Sequence, residues 1–389
     1  MFIAASGFAQ WVTLNSGTIY NLYSVYFTDS NTGYAVGETG TILKTTDGGT
    51  NWTTQLSGTT ERLSSVYFPN VNIGYAVGVS GTILKTTNSG TNWTIQASGT
   101  FNSLSSVYFT DANTGHIVGD ITTILKTTDG GINWTLPVPG FGEYLTSVYF
   151  TDANTGYTVG ETGTILKTTD GGTNWTTILS GATNVSEWLF LQSIYFTNAN
   201  TGYVVGRKGL ILKTTDGGIN WTAQASGLDS TLSLFSIYFT DADTGYAVGN
   251  GGTILKTTNG GTNWTPQPNE FSGGNTALFS VYFADANTGY IVGNYGIILK
   301  TTNGGEFVEE NHLPEYAINI FPNPTNNNLT IKTLQKSEIE ISNIEGQIIK
   351  RINGNDKSTT IDISGLASGM YFVKVKMEKG IVVKKFVKE

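Results

Sequence analysis

SVYFTDANTGYTVGETGTILKTTDGGTNW, residues 147 to 175, is the pattern on which most of this chain is written. SVYF or SIYF begins at Ser24, Ser65, Ser106, Ser147, Ser193, Ser236 and Ser280, giving successive spacings of 41, 41, 41, 46, 43 and 44 residues. A period of that length marks a repeat architecture. Within each copy, SVYF, GYTVG, GTILKTT and NWTT are short runs rich in Val, Ile, Thr, Tyr and Phe. Such side chains suit a pleated, half-buried surface, and the Asn, Asp, Gly and Thr clusters between them suit tight turns. Four strands per repeat, seven times over, predict an all-β fold, a seven-bladed β-propeller.

The two ends of the repeat region complete each other. Trp11 followed by VTLNSGT matches Trp52 followed by TTQLSGT, and each Trp stands 13 residues before the next SVYF. The seventh repeat breaks off at Asn303, Gly304, Gly305, Glu306 and Phe307, where NGGTNW is due. The N-terminal strand is therefore expected to close the last blade and satisfy the sheet edge that an incomplete blade exposes. This places the propeller at residues 11–307. Residues 1–10, MFIAASGFAQ, read as the remnant of a secretory signal peptide, with Gly7 and Ala9 in an A-x-A-like arrangement.

Charge divides the chain. Residues 1–315 carry 10 Lys or Arg against 22 Asp or Glu, and residues 316–389 carry 11 against 7. An acidic propeller is a poor match for nucleic acid, because neutralising phosphates needs clustered Lys and Arg. With no cysteine, disulfides and thiolate metal sites are excluded. No apolar run approaches the ~20 residues of a membrane-spanning helix, so no transmembrane segment is expected.

Most recurring residues have packing explanations. The Trp of NW, the Tyr and Phe of S(V/I)YF and the Tyr of TGY are assigned to the core. The Lys of ILKTT is assigned to stem packing and local pairing. DANTG at Asp111, Asp152 and Asp285, with variants at Asp29 and Asp241, resembles the opening of a calcium loop, but the twelfth position lacks the bidentate acid. Asx-turn chemistry accounts for it. No metal site and no cofactor are expected, and His116, which replaces the TGY tyrosine in the third repeat, has no His or Cys near it in sequence.

TTDGGTNW resembles the Asp-box, or bacterial neuraminidase repeat, in Thr45, Asp47, Gly49 and Trp52, with equivalents ending at Trp134, Trp175 and Trp221; Asn88 and Asn259 replace the Asp in two copies. The resemblance implies a structural hairpin in which the Asp fastens the turn. YAVGETGTILKTTDGGTNW as a whole is similar to the photosystem II assembly-factor propellers, which implies a scaffold or binding protein without catalysis.

After a linker at residues 308–315, residues 316–389 alternate in four β-like segments that suggest a small Ig-like β-sandwich. They resemble the type A C-terminal sorting domain of the type IX secretion system in Phe321, Pro322, Asn323 and Pro324, in Gly346, in Gly365, Leu366, Gly369, Tyr371 and Phe372, and in Lys384 and Lys385. The resemblance implies handling by the type IX machinery and export to the medium or outer surface of a Bacteroidetes-type bacterium.

One end of the propeller varies between repeats: the turn after the second strand and the loop before the first. The turn begins with Glu38, Val79, Asp120, Glu161, Arg207, Asn250 or Asn294, and the loop before the fifth repeat carries Glu187, Trp188 and Phe190. Phe101, Phe141, Tyr144, Phe271 and Tyr295 are further aromatics there. These residues are the candidates for binding an extracellular protein or glycan. Sialidase chemistry needs three arginines around a substrate carboxylate, and the repeats contain Arg62 and Arg207 alone. The alternative to a binding protein is a polysaccharide-active glycoside hydrolase, for which Asp120 and Glu161 on adjacent blades are the candidate carboxylate pair.

Overall fold

The computed structural model describes residues 11–136, 142–178, 190–306, 318–333, 337–344, 346–354, 358–377 and 380–389. Residues 1–10, expected to be a signal-peptide remnant, residues 308–315, expected to be a linker, and Phe141, Glu187 and Trp188 lie outside the described residues. The chain divides into two compact units, Ala9–Glu306 and a second that includes Phe307–Glu389.

In the first unit each repeat forms an antiparallel sheet. In the first blade the strands Leu22–Phe27, Gly33–Gly37, Ile42–Thr45 and Thr53–Gln55 lie in chain order across the sheet. The second strand is buried along its whole length, because its sheet is covered on both faces by the neighbouring sheets. Turn chemistry fixes the ends. Asp29 Oδ1 accepts hydrogen bonds from the amides of Asn31 and Thr32, both at 2.8 Å, in the Asx turn after the first strand. In the hairpin after the third strand, Thr45 Oγ1 donates to Asp47 Oδ1 at 2.9 Å, and Asp47 accepts from the Asn51 amide and Nδ2 at 2.9 and 2.8 Å. Asn88 accepts the equivalent bonds from Thr86 Oγ1 and the Asn92 amide. An amide oxygen serves that position, so the turn needs an acceptor there and not a charge.

Val12–Leu14 pairs antiparallel with Ile298–Thr301 and is the fourth strand of the sheet formed by Leu278–Phe283, Gly289–Gly293 and Ile298–Thr301. The third blade departs from the four-strand expectation. Among the described residues its sheet holds Leu104–Phe109, Gly115–Gly119 and Thr123–Thr127, and the fourth strand is represented by a bridge between Lys126 and Thr135. The position equivalent to Gln55 is Pro137 in sequence, and proline has no N–H to give to a ladder.

Three sets of contacts tie each blade to the next. The hydroxyl of the first-strand tyrosine donates to the carbonyl of the next blade's phenylalanine, as from Tyr26 to Phe68 at 3.0 Å and from Tyr67 to Phe109 at 3.1 Å. The first-strand serine hydroxyl accepts the next blade's amide, as Ser24 does from Val66 at 3.2 Å. In every blade but the third, the second-strand tyrosine and third-strand lysine both donate to one hairpin carbonyl of the next blade; Tyr157 and Lys167 meet at Gly217 O, at 2.7 and 2.8 Å, whereas Lys126 donates to Thr173 Oγ1. The lysine expected to pair locally is thus an inter-blade clamp, its ammonium lying over the tyrosine ring, 5.3 Å from the centroid at Tyr157, and donating to the carbonyl that the tyrosine hydroxyl also uses. The S(V/I)YF tyrosines, expected in the core, are half-buried and form a continuous girdle of adjacent rings, from Tyr26 to Tyr67 at 5.2 Å round to Tyr282 and Tyr26 at 4.9 Å.

The second unit is a β-sandwich of a three-stranded sheet, Asn319–Phe321, Asn328–Lys332 and Ser358–Asp362, and a four-stranded sheet, Ile348–Gly354, Ser337–Ser342, Gly369–Met377 and Gly380–Lys388. Period-two alternation puts Ile339, Ile341, Val373, Val375, Leu329 and Ile331 into one shared core.

Candidate functional site

All seven first strands carry a register shift at the same place, between the leucine and the serine of the L-x-S motif, as between Leu22 and Ser24. A β-bulge re-aims a side chain, and here the burial pattern breaks from alternation at the residue between them. Tyr23, Ser64, Ser105, Thr146, Gln192, Phe235 and Phe279 occupy that position, one per blade, and together with Arg62 and Phe190 they line a cavity of about 330 Å³. The tyrosine girdle follows three residues, about 10 Å of strand, further along each first strand.

The lining is asymmetric. Phe235, Phe279 and Tyr23 form an arc with ring centroids 5.5 and 5.0 Å apart and tilts of 42° and 40°. The Arg62 guanidinium lies 5.3 Å from the Tyr23 ring centroid, and the Arg207 guanidinium 4.9 Å from that of Phe190. Opposite the arc are Ser64, Ser105, Thr146 and Gln192. Glu38 fixes Tyr23: its Oε1 accepts from the Tyr23 hydroxyl at 3.1 Å and from Asn21 Nδ2 at 2.9 Å. Burial, the largest cause, and the Glu38 carboxylate push the Tyr23 phenol above its ordinary value against the Asn21 side chain and, to a smaller extent, the Arg62 charge.

The turn residues singled out by sequence stand directly beside this ring. The amides of Glu38, Asp120, Glu161, Arg207, Asn250 and Asn294 donate to the carbonyls of Asn21, Ser103, Tyr144, Phe190, Ser233 and Ala277, each of which immediately precedes the leucine of a bulged strand. Asp120 and Glu161 make no hydrogen bond to each other among the described residues, and the carbonyl of Asp120 accepts from Thr123 Oγ1 at 2.6 Å. Tyr295 is 71% exposed, and its amide donates to Asn21 Oδ1. Phe101 and Tyr144 are exposed, whereas Phe271 packs against the core of the sixth and seventh blades. Glycine is required where the turn meets the neighbouring loop: Gly40 has φ 69°, and a Cβ there would stand 2.0 Å from the Thr59 carbonyl oxygen.

Sequence reading missed Tyr23, Ser64, Ser105, Thr146, Gln192, Phe235 and Phe279. The signal was present, since the middle residue of L-x-S is the one position of the first strand that changes character from copy to copy.

In the second unit, the sorting-motif residues gather around the last strand. Asn323, between the cis peptides preceding Pro322 and Pro324, accepts from the Val387 amide at 2.9 Å and donates to the Lys385 carbonyl at 3.2 Å. Asn323, Phe372, Lys384 and Lys385 line a cavity of about 510 Å³. Tyr371 donates to the Ala367 carbonyl at 2.8 Å, between Leu366 and Gly369, and stacks on Phe386. A Cβ at Gly365 would meet nothing within 4 Å, so close packing does not demand glycine there.

Comparison with known families matches residues 319–389 to the secretion system C-terminal sorting domain. Residues 3–99 and 139–232 match the photosynthesis system II assembly factor YCF48. Among solved structures, YCF48 from Cyanidioschyzon merolae is similar at 21% identity and a TM-score of 0.63, over 75% of this chain and 98% of that one. A YCF48 bound to D1 peptide is similar at 20% identity and a TM-score of 0.65, over 77% and 97%. A GH74 xyloglucanase from Xanthomonas campestris shares the fold at 12% identity and a TM-score of 0.60, over 83% and 59%. At these identities the likeness is one of fold. No curated protein matches the sequence. The chain thus carries a β-propeller that is similar to the photosystem II assembly factor YCF48 and a C-terminal region, residues 319–389, that matches the secretion system sorting domain.

Proposed function

We propose that this protein is a non-catalytic binding propeller that engages an extracellular protein or glycan through the end formed by its bulged first strands and the adjoining turns. One observation carries this reading. Blades otherwise interchangeable in their packing residues differ at the cavity, where Tyr23, Phe235 and Phe279 face Ser64, Ser105 and Thr146. Packing alone gives no reason for such differences, whereas a ligand lacking sevenfold symmetry does. That a YCF48 propeller has been solved with a peptide bound is in keeping with this reading. The sorting domain supports delivery by type IX secretion to the medium or outer surface of a Bacteroidetes-type bacterium, through Pro322, Asn323, Pro324, Gly365, Leu366, Gly369, Tyr371, Lys384 and Lys385.

The test is binding of the full chain to glycan and surface-protein arrays, repeated with Phe190→Ala and Arg207→Ala. A ligand whose binding falls in both variants supports the face; undiminished binding rejects it. For the tail, loss of residues 316–389 should leave the propeller in the periplasm, and continued release into the medium would refute the sorting role.

A further inference from the structure

We infer that the cavity at the propeller mouth takes a sugar ring bearing a carboxylate, a uronic acid unit of an acidic polysaccharide, with Arg62 and Arg207 as its charge partners. This rests on the binding reading above and names the ligand class for that site.

The first argument is the placement of the arginines. Residues 11–307 contain two, in a region where acidic residues dominate, and both lie on aromatic rings that line this cavity. Neither forms an ion pair with a carboxylate among the described residues. A guanidinium held over a ring without a carboxylate partner retains N–H donors for a ligand, and its planar fork matches a carboxylate.

The second argument is the division of the lining. The arc Phe235–Phe279–Tyr23 offers ring faces and edges to the C–H side of a compact ring. Across from it, the Ser64 and Ser105 hydroxyls and the Gln192 amide make no hydrogen bond to another described residue. Aromatic carbon on one side with neutral donors and acceptors on the other suits a polyol ring. A volume of about 330 Å³ is at the small end of the range for small-molecule sites, so it suits one or two sugar units and not a long segment.

The third argument separates a glycan from an extended peptide. A peptide adding to a sheet gains its affinity from main-chain bonds. Here the inward amides are already taken: Val25, Val66, Val107, Val148, Ile194, Ile237 and Val281 each donate to a serine hydroxyl of the preceding blade. Recognition falls to the side chains at the mouth. Glu38 acts as a positioning residue, holding the Tyr23 hydroxyl so that the ring stays under Arg62.

The test is calorimetric titration of the full chain with oligomers of galacturonate, mannuronate and guluronate, with their methyl esters, and with an oligoglutamate peptide. At least one uronate oligomer should bind, its methyl ester ~10-fold or more weaker because a charge-assisted bond is lost. Arg62→Gln and Phe279→Ala should each weaken it by a similar factor, with melting curves confirming that both fold. Ile219→Ala, an exposed hairpin change at the opposite end, should leave it unaltered. No uronate binding, equal binding of the ester, or wild-type affinity in both mouth variants overturns the assignment. Oligoglutamate binding that falls in Arg62→Gln, without uronate binding, overturns the glycan class while the binding reading stands. An array ligand that ignores every mouth substitution overturns both.

Discussion

The Tyr282 hydroxyl donates to the carbonyl of Phe27 at 2.8 Å, joining two residues 255 positions apart. The same bond runs from Tyr26 to Phe68, from Tyr67 to Phe109 and on through Tyr238 to Phe283, so the series returns to its start. A linear stack would leave the two ends of that series without partners. Replacing Tyr282 by Phe should cost about 1 kcal/mol, since the Phe27 carbonyl loses its side-chain donor. The urea midpoint of Tyr282→Phe against wild type measures this, and Tyr149→Phe should cost the same if the seams are equivalent.

Trp11 closes the seventh blade from the other end of the chain. It is 1% exposed and packs edge-on against Tyr246 and Phe283, at 6.3 and 5.9 Å between centroids. Trp11→Ala should destabilise the first unit by ~3–5 kcal/mol, the cost of truncating a buried aromatic. Deleting residues 11–18 should cost more, because three residues of sheet pairing go with the side chain. An unchanged thermal midpoint in the deletion would mean that the strand does not hold the seam.

His116 is the weak point of the third blade. It stacks on Phe150 at 4.1 Å where the other blades place a tyrosine, but neither ring nitrogen finds a partner among the described residues. Burial, and then the Lys126 charge, lower its pKa from 6.5 to about 3. The folded state therefore keeps the imidazole neutral while the unfolded chain takes up a proton below pH 6.5, so stability is lost as pH falls from 6.5 towards 3. His116→Tyr should restore the hydroxyl that Tyr157 gives to its neighbour and raise stability by about 1 kcal/mol at neutral pH. Its advantage should widen on acidification; melting points at pH 7 and pH 4.5 decide it.

Asp47, Asp129, Asp170 and Asp216 are held at about 2, first by the backbone amides of Asn51, Asn133, Asn174 and Asn220, then by their side chains and the threonine hydroxyls. Each lies below the ordinary 3.8, so its stabilising bonds are complete above pH 4 and are lost as pH falls towards 2. Changing all four to Asn, as at Asn88 and Asn259, should flatten the fall in melting point between pH 4 and pH 2. A slope equal to wild type would show that these turns carry no proton-linked stability.

Much of the fold was legible because a propeller repeats its packing. Each blade buries the same faces, so Val, Tyr and Phe return every 41 to 46 residues, and a closing strand is recognisable by its missing partners. The binding end was legible only in outline. Glu38 and Arg207 were found because their turns differ openly between copies. Tyr23, Phe235 and Phe279 were passed over because they sit inside a strand that reads as packing. The lysine of ILKTT was assigned a local partner because its carbonyl acceptor lies 45 to 50 residues away in five of the blades and across the ring closure at Lys300.

The sequence by itself determined the strands, the turns, the number of repeats and the two-part organisation, since these follow from side-chain shape, hydrogen-bonding capacity and period. Only the tertiary structure decided which residues share a site. The β-bulge between Leu22 and Ser24 is a backbone event that leaves no separate mark in composition, yet it turns one extra residue per blade towards a common mouth. Ring closure then brings Tyr23 within 5.0 Å of Phe279. Linear order keeps those two residues apart, and packing of the first blade against the last joins them.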